Sequence, residues 1–175
     1  MAADDDVVVA LVTTRGRALT RYGDLLTGEA HDAEDLVQDA LVKVFGRRRA
    51  GLQLAVAEAY VRRTMLTLYL DGWRRRGRWA QRRHLAAVAD RAEGPEGATT
   101  TRLDVVTALS GLPRQQRACV VLRFYEDMTV AEIADTLGLA EGSVKRYLSM
   151  GTHRLEALLG PVDRVPATVT IVQEA

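Results

Sequence analysis

Ser143, Lys145, Arg146 and Ser149 place two hydroxyls and two cations on one side of a segment whose apolar residues Val144, Leu148 and Leu155 recur at helical spacing. Hydroxyl, ammonium and guanidinium groups ranged along a helix are suited to hydrogen bonding with base edges and to neutralising phosphates. The residues before them supply the element that would hold such a helix. Thr129 and Glu132 form the T-x-x-E pattern of a capping box, in which two side chains satisfy the free backbone donors of a helix start. Val130, Ile133, Ala134 and Leu137 then give a buried stripe, and Gly138 suits a sharp turn because positive φ costs it little. Helices over 129–137 and 141–159 read as a helix-turn-helix, whose second helix enters the major groove of duplex DNA. The structural alternative is an α-hairpin that serves only as packing.

Two other clusters carry charge. Between Glu29 and Asp39 lie five acids (Glu29, Asp32, Glu34, Asp35, Asp39) and no Lys or Arg. Asp35, Gln38 and Asp39 stand at i, i+3 and i+4, opposite the apolar Leu36, Val37, Ala40, Leu41 and Val44. A solvated acidic face is the bland reading, and a docking surface for a basic partner is the functional one. Between Trp73 and His84 lie six arginines (Arg74, Arg75, Arg76, Arg78, Arg82, Arg83) and no acid. Interleaved with Tyr69, Trp73 and Trp79, they could neutralise phosphates while aromatic faces stack unpaired bases. The alternative places Tyr60 and Trp73 in the core and leaves the arginines as a solvated helix end. The net charge of the 175-residue chain is only +1, but the segregation points to one basic partner and one made of phosphate.

Enzymatic chemistry finds no purchase. His31, His84 and His153 are scattered, and no nucleophile–base set, phosphate loop or zinc-ligand spacing is present, so catalytic, cofactor and metal residues are all expected to be none. Cys119 is the single cysteine; it excludes an internal disulfide and, lying in an apolar pattern, belongs to the core. No apolar run approaches the ~18 residues of a membrane span. The acidic start, Asp4-Asp5-Asp6, is unlike a signal peptide, so a cytoplasmic location without membrane insertion is expected.

Helical periodicity runs through nearly the whole chain, over 7–26, 31–46, 55–75, 77–89, 102–110, 113–126, 129–137 and 141–159. Ala92–Thr101 combines Pro, two Gly and three Thr with no large apolar residue and reads as a linker. The expected fold is therefore all-α, with two small helical domains joined by a flexible linker: 7–89, a linker at 90–101, 102–160 with the helix-turn-helix, and a tail over 161–175.

These pieces in this order resemble the extracytoplasmic-function (ECF, group IV) sigma factors of the sigma-70 family, the promoter-recognition subunits of bacterial RNA polymerase, with wording closest to actinobacterial members of SigE-like type. Leu25-Leu-Thr-Gly-Glu with Ala33-Glu-Asp-Leu-Val-Gln-Asp-Ala resembles the start of region two, and Glu58-Ala-Tyr-Val-Arg-Arg with Asp71-Gly-Trp-Arg-Arg-Arg its end. Ala108-Leu-Ser-Gly-Leu-Pro-Arg-Gln-Gln-Arg-Ala with Val121-Leu-Arg-Phe-Tyr-Glu-Asp-Met resembles the entry to region four, and Ala131-Glu-Ile-Ala with Gly142-Ser-Val-Lys its helix-turn-helix. The resemblance implies that Asp35, Gln38, Asp39, Leu41 and Phe45 dock on the coiled coil of the polymerase β′ subunit. It implies that Arg62, Arg63, Thr67, Asp71, Trp73, Arg74, Arg75 and Arg76 engage the −10 element, with an extruded base held by the Gly46–Ala57 loop. Arg114, Arg117, Ser143, Lys145, Arg146 and Ser149 would touch the −35 duplex. Core polymerase (β′ coiled coil and β flap), promoter DNA and an anti-sigma factor are the implied partners.

Departures from the family pattern have physical content. Thr67 stands where Asn is frequent, and Tyr147, Met150 and Thr152 stand where basic residues are common, which implies weaker phosphate contact upstream. Ala140 replaces a frequent Ser or Thr cap. A regulator with a LuxR-type helix-turn-helix, acting without core polymerase, also resembles Leu112–Leu155, but accounts for neither the acidic face nor the arginine run.

Overall fold

The computed structural model describes residues 2–46, 53–80 and 100–159. All the regular elements among them are helices: α1 (Ala2–Thr27), α2 (Ala30–Phe45), α3 (Leu54–Ala80), α4 (Thr100–Ser110), α5 (Arg114–Phe124), α6 (Val130–Leu137) and α7 (Glu141–Leu159). Two expectations need correction. A helix break near Gly77 is not observed, because α3 runs unbroken from Leu54 to Ala80; one interior glycine costs a helix only about 1 kcal/mol. The segment before the second module becomes helical at Thr100, two residues early. Most of the expected linker and tail, and residues 47–52 of the basic loop, lie outside the described residues.

α1, α2 and α3 pack against one another as the first module. Leu11, Leu19 and Leu26 of α1 and Val61 and Met65 of α3 are fully buried, and Leu36, Ala40 and Val44 of α2 close the core from the third side. Each large side chain removed from water this way contributes about 1.5–3 kcal/mol. Burial of Leu36, Ala40 and Val44, with Val37 and Leu41 packed at the edge, turns the opposite face of α2 outward. That is the periodicity expected of an amphipathic helix.

In the second module α5 is the hub. Gln116, Arg117, Ala118, Cys119, Val120, Val121 and Leu122 are all buried, so the middle of α5 is covered on every side, as a helix crossed by several others must be. α6 and α7 cover it from one side, and α1 and α3 of the first module approach it from the other. Cys119 is fully buried here, and burial pushes its thiol up to about 11. At pH 8 this lowers the reactive thiolate fraction about a hundredfold relative to an exposed cysteine. Cys119 should therefore resist a maleimide in the folded chain and label rapidly in denaturant. Fast labelling under native conditions would contradict the packing.

Candidate nucleic-acid and polymerase interfaces

The helix-turn-helix is built as its residues dictate. The Thr129 side chain accepts from the Glu132 backbone N–H, and the Glu132 carboxylate accepts in return from the Thr129 N–H at 2.7 Å, a complete capping box. Gly138 ends α6 with φ of 63°, in the left-handed region. Ile133 and Ala134 of α6 and Val144 of α7 are buried together. α7 has no side-chain cap residue at Ala140, whose carbonyl still accepts from the Ser143 and Val144 N–H groups. The Thr129 backbone N–H, followed by its hydroxyl, holds the Glu132 carboxyl below its ordinary value. A depressed folded value means that the box supports the fold above the unfolded carboxyl pKa and that this support is lost as pH falls through the folded value. Thr129→Ala should cost about 1 kcal/mol in thermal or urea unfolding. A variant as stable as its parent would show that the box carries no weight.

Lys145, Arg146 and Ser149 lie exposed on α7, with Ser143 half-buried beside them. Lys145 reaches Glu141 at 3.7 Å, an exposed pair within one turn. The Arg146 guanidinium lies 5.6 Å from the centre of the Tyr147 ring, an orientation that fixes the long side chain near the surface.

Arg114 and Arg117, which the resemblance groups with these residues, do not share that face in the free chain. Both belong to α5 and turn toward the first module. Arg117, only 7% exposed, donates to the carbonyls of Leu26 (2.8 Å) and Thr27 (3.0 Å), and to those of Ser110 and Leu112. The last carbonyls of a helix lack intrahelical partners and attract cations, and α1 carries no basic residue in its own last turn. Arg117 takes that place. Burial holds its pKa below the ordinary value. Arg114 donates to the Tyr69 carbonyl and lies 4.7 Å from the centre of that ring. Gly28, just past α1, has φ of +86°, and a Cβ there would fall 2.7 Å from the Cβ of Ser110; only glycine allows both the turn and the close approach.

On α3, Arg63 and Thr67 are exposed, Asp71 is half-buried, and the Thr67 hydroxyl donates to the Arg63 carbonyl at 2.9 Å. Arg62 points elsewhere. Its guanidinium pairs with Glu58 at 2.9 Å and with Glu126 of the second module, and it lies 5.4 Å and 5.8 Å from the ring centres of Tyr22 and Tyr125. Burial opposes its charge, but Glu126 and then Glu58 outweigh that, and its pKa stands above the ordinary value. Trp73, Arg74, Arg75 and Arg76 lie on the C-terminal part of α3, with side chains outside the described residues. Tyr60, expected in one reading to be core, is 41% exposed. It shares a shallow apolar hollow with Val56 and Arg63, a placement that alternation of aromatics and arginines alone does not disclose.

On α2, Asp35, Gln38 and Asp39 are exposed, and Leu41 and Phe45 are half-buried at the edge of the same helix. His31 stands 3.8 Å from Asp35. Sequence reasoning missed Val42, which is 73% exposed and lies three residues from Asp39 and four from Gln38, within the polar face. Asp32, Asp35 and Asp39 also line a cleft of about 420 Å³, whose far side carries Asp71, Arg114 and Arg117. Among the described residues no cluster of His, Cys, Asp and Glu is placed to hold a metal ion, and no helix is long and apolar enough to cross a membrane.

Described residues that are helical throughout, with an exposed acidic face on α2 and a capped helix-turn-helix in α6 and α7, have the layout of a bipartite transcription factor. Comparison with known proteins narrows this further. Residues 11–79 match sigma-70 region 2 and residues 102–155 match sigma-70 region 4. The RNA polymerase sigma-E factor of Streptomyces coelicolor is 34% identical over 148 residues, 82% of this chain and 81% of that protein. The ECF RNA polymerase sigma factor SigL of Mycobacterium tuberculosis is 30% identical over 166 residues, covering 90% and 92%. Among solved structures, the sigma factor RpoE of Bartonella quintana, crystallised in complex with the anti-sigma factor NepR, superposes with a TM-score of 0.64 at 27% identity, over 91% of this chain and 97% of that one. The chain belongs to the sigma-70 family of RNA polymerase sigma factors, in its ECF group. The match over residues 11–79 sets aside the LuxR-type alternative, which has no counterpart to that module.

Proposed function

We propose that this protein is a cytoplasmic promoter-specificity subunit: it binds bacterial core RNA polymerase, reads a −10 and a −35 element, and directs initiation while the polymerase performs all bond making. The observation that carries this reading is the co-occurrence, in one chain, of an exposed acidic face on α2 and an exposed Lys145–Arg146–Ser149 face on α7. Asp35, Gln38 and Asp39, with Val42 as an apolar anchor among them, dock the basic partner. Arg63, Thr67 and Tyr60 form the part of α3 that meets the −10 strand, where a tyrosine face can stack a base at about 1–3 kcal/mol. The resemblance gives Trp73, Arg74, Arg75 and Arg76, farther along α3, a role at the same element. Ser143, Lys145, Arg146 and Ser149 contact the −35 duplex. Each module binds weakly alone, and tethering both on one polymerase raises the effective concentration of the second contact.

An anti-sigma factor is the natural negative regulator of such a chain and would cover these same faces. Run-off transcription with purified core polymerase on a library of random upstream DNA tests the reading directly. Selective initiation from templates sharing two spaced elements is the expected result. Absence of initiation from every template, with intact protein and active core, would refute it.

A further inference from the structure

The first turn of α7 carries an acid, Glu141, on the part of the helix that the promoter reading turns toward DNA. Glu141 and Lys145 lie one helical turn apart with side chains 56% and 66% exposed, and their carboxylate and ammonium stand 3.7 Å from one another. Phosphates repel a carboxylate, so Glu141 weakens binding to every sequence unless a hydrogen-bond donor of the DNA meets it. One structural role for it is support of the helix start, because an acid in the first turn complements the helix dipole. The neighbouring Gly142 has no such role. Its φ lies outside the left-handed region, and a Cβ added there would meet nothing within 4 Å. Neither a turn nor packing calls for this glycine, a residue type that weakens a helix. Its missing side chain leaves open space beside Glu141, at the end of the helix that reaches base edges first.

The base edges of the major groove offer two kinds of donor, the amino groups at cytosine N4 and adenine N6. Each is hydrogen-bonded across its pair to a carbonyl oxygen, O6 of guanine or O4 of thymine, about 2.9 Å away. A carboxylate and an ammonium 3.7 Å apart match that spacing of donor and acceptor. The flanking groups then separate the two kinds of pair. Adenine sets its N7 acceptor beside N6, where it repels a carboxylate, and thymine sets its methyl group beside O4, where it obstructs an ammonium. Cytosine has no acceptor on the groove side of N4, and guanine gives an ammonium both O6 and N7. We propose that Glu141 and Lys145 together read a single C·G base pair of the −35 element. Glu141 accepts from cytosine N4, Lys145 donates to guanine O6 and N7, and Gly142 leaves room for the pair to approach. The assignment fixes one position of the element and rests on the promoter reading of α7.

The test binds the full chain, on core polymerase, to duplexes randomised across the upstream element and counts the sequences retained. One position of the parent's selection should be C·G, favoured about tenfold or more over the other pairs. Glu141→Ala should remove that preference and leave the other positions as they were, and Lys145→Ala should relax the same position. Glu141→Gln should exchange it for A·T there, because an amide pairs with adenine N6 and N7. A residue that only supports the helix start cannot produce that exchange. Equal weakening of all sequences by Glu141→Ala, or a C·G preference that survives in both Glu141 variants, would overturn the assignment. A parent complex that selects an upstream element lacking a C·G position would overturn it as well, with the promoter reading left standing. A parent complex that selects no upstream sequence at all would bring down both.

Discussion

Replacing Asp35 and Asp39 together by lysine is expected to weaken retention of core polymerase by about a hundredfold, on the order of 2–3 kcal/mol, while the fold remains intact. Both carboxylates are exposed on α2, and the core beneath is made by Leu36, Ala40 and Val44, so the change touches no buried contact. An exposed ion pair alone contributes about 0.2–1 kcal/mol. Reversal adds repulsion to that loss at two adjacent sites, which carries the sum past what double alanine substitution, expected at about tenfold, would remove. The deficit should deepen at low salt, because exposed charges interact over a screening length of about 10 Å at 0.1 M. A pull-down titration with core polymerase, read with a circular dichroism control, measures it. Equal retention of parent and variant would remove α2 from the docking surface. Val42→Asp offers a companion measurement: an apolar residue 73% exposed among acids should matter more to binding than to stability.

Lys145→Glu with Arg146→Glu should abolish binding of a −35 duplex by the polymerase-bound protein, a loss of about a hundredfold or more at moderate salt. Each cation that neutralises a phosphate releases counterions, with a slope of about 0.9 in log K against log salt for each contact. The milder Arg146→Ala should therefore lower the salt slope by about one unit and weaken all sequences alike if Arg146 meets phosphate. If it reads a base edge instead, it should relax preference at one position and leave the slope nearly unchanged. Both residues are exposed, and the α7 core is carried by Val144, so unfolding is not the expected cause of loss. Undiminished duplex binding by the double variant would move the reading helix elsewhere.

Some of this was legible in the sequence because local rules agree with the tertiary result. The capping box of Thr129 and Glu132, the left-handed Gly138 and the acidic side of α2 follow from spacing alone, since a 3.6-residue period separates polar from apolar residues without reference to neighbours. Arg62, Arg114 and Arg117 were not legible in the same way. A sequence shows that an arginine precedes an apolar run; it does not show that the carbonyl end of a helix ninety residues earlier lies within reach of it. Tyr60 and Val42 failed for the converse reason: their types favour burial, and only the packing of α1, α2 and α3 leaves them outside. Continuity of α3 past Gly77 is a case of weak local preference overridden by its surroundings.

Gly151 sits at the crossing of α7 with α5, where an added Cβ would come within 2.8 Å of a methyl carbon of Val120. The helix that carries Lys145 and Arg146 is thus seated on its support through a bare backbone, one and a half turns from those two side chains. Any methyl group placed there becomes a shim, and a shim at the far end of a lever swings its tip. On the proposed reading, the aim of this helix is calibrated by a hydrogen atom that never meets the DNA.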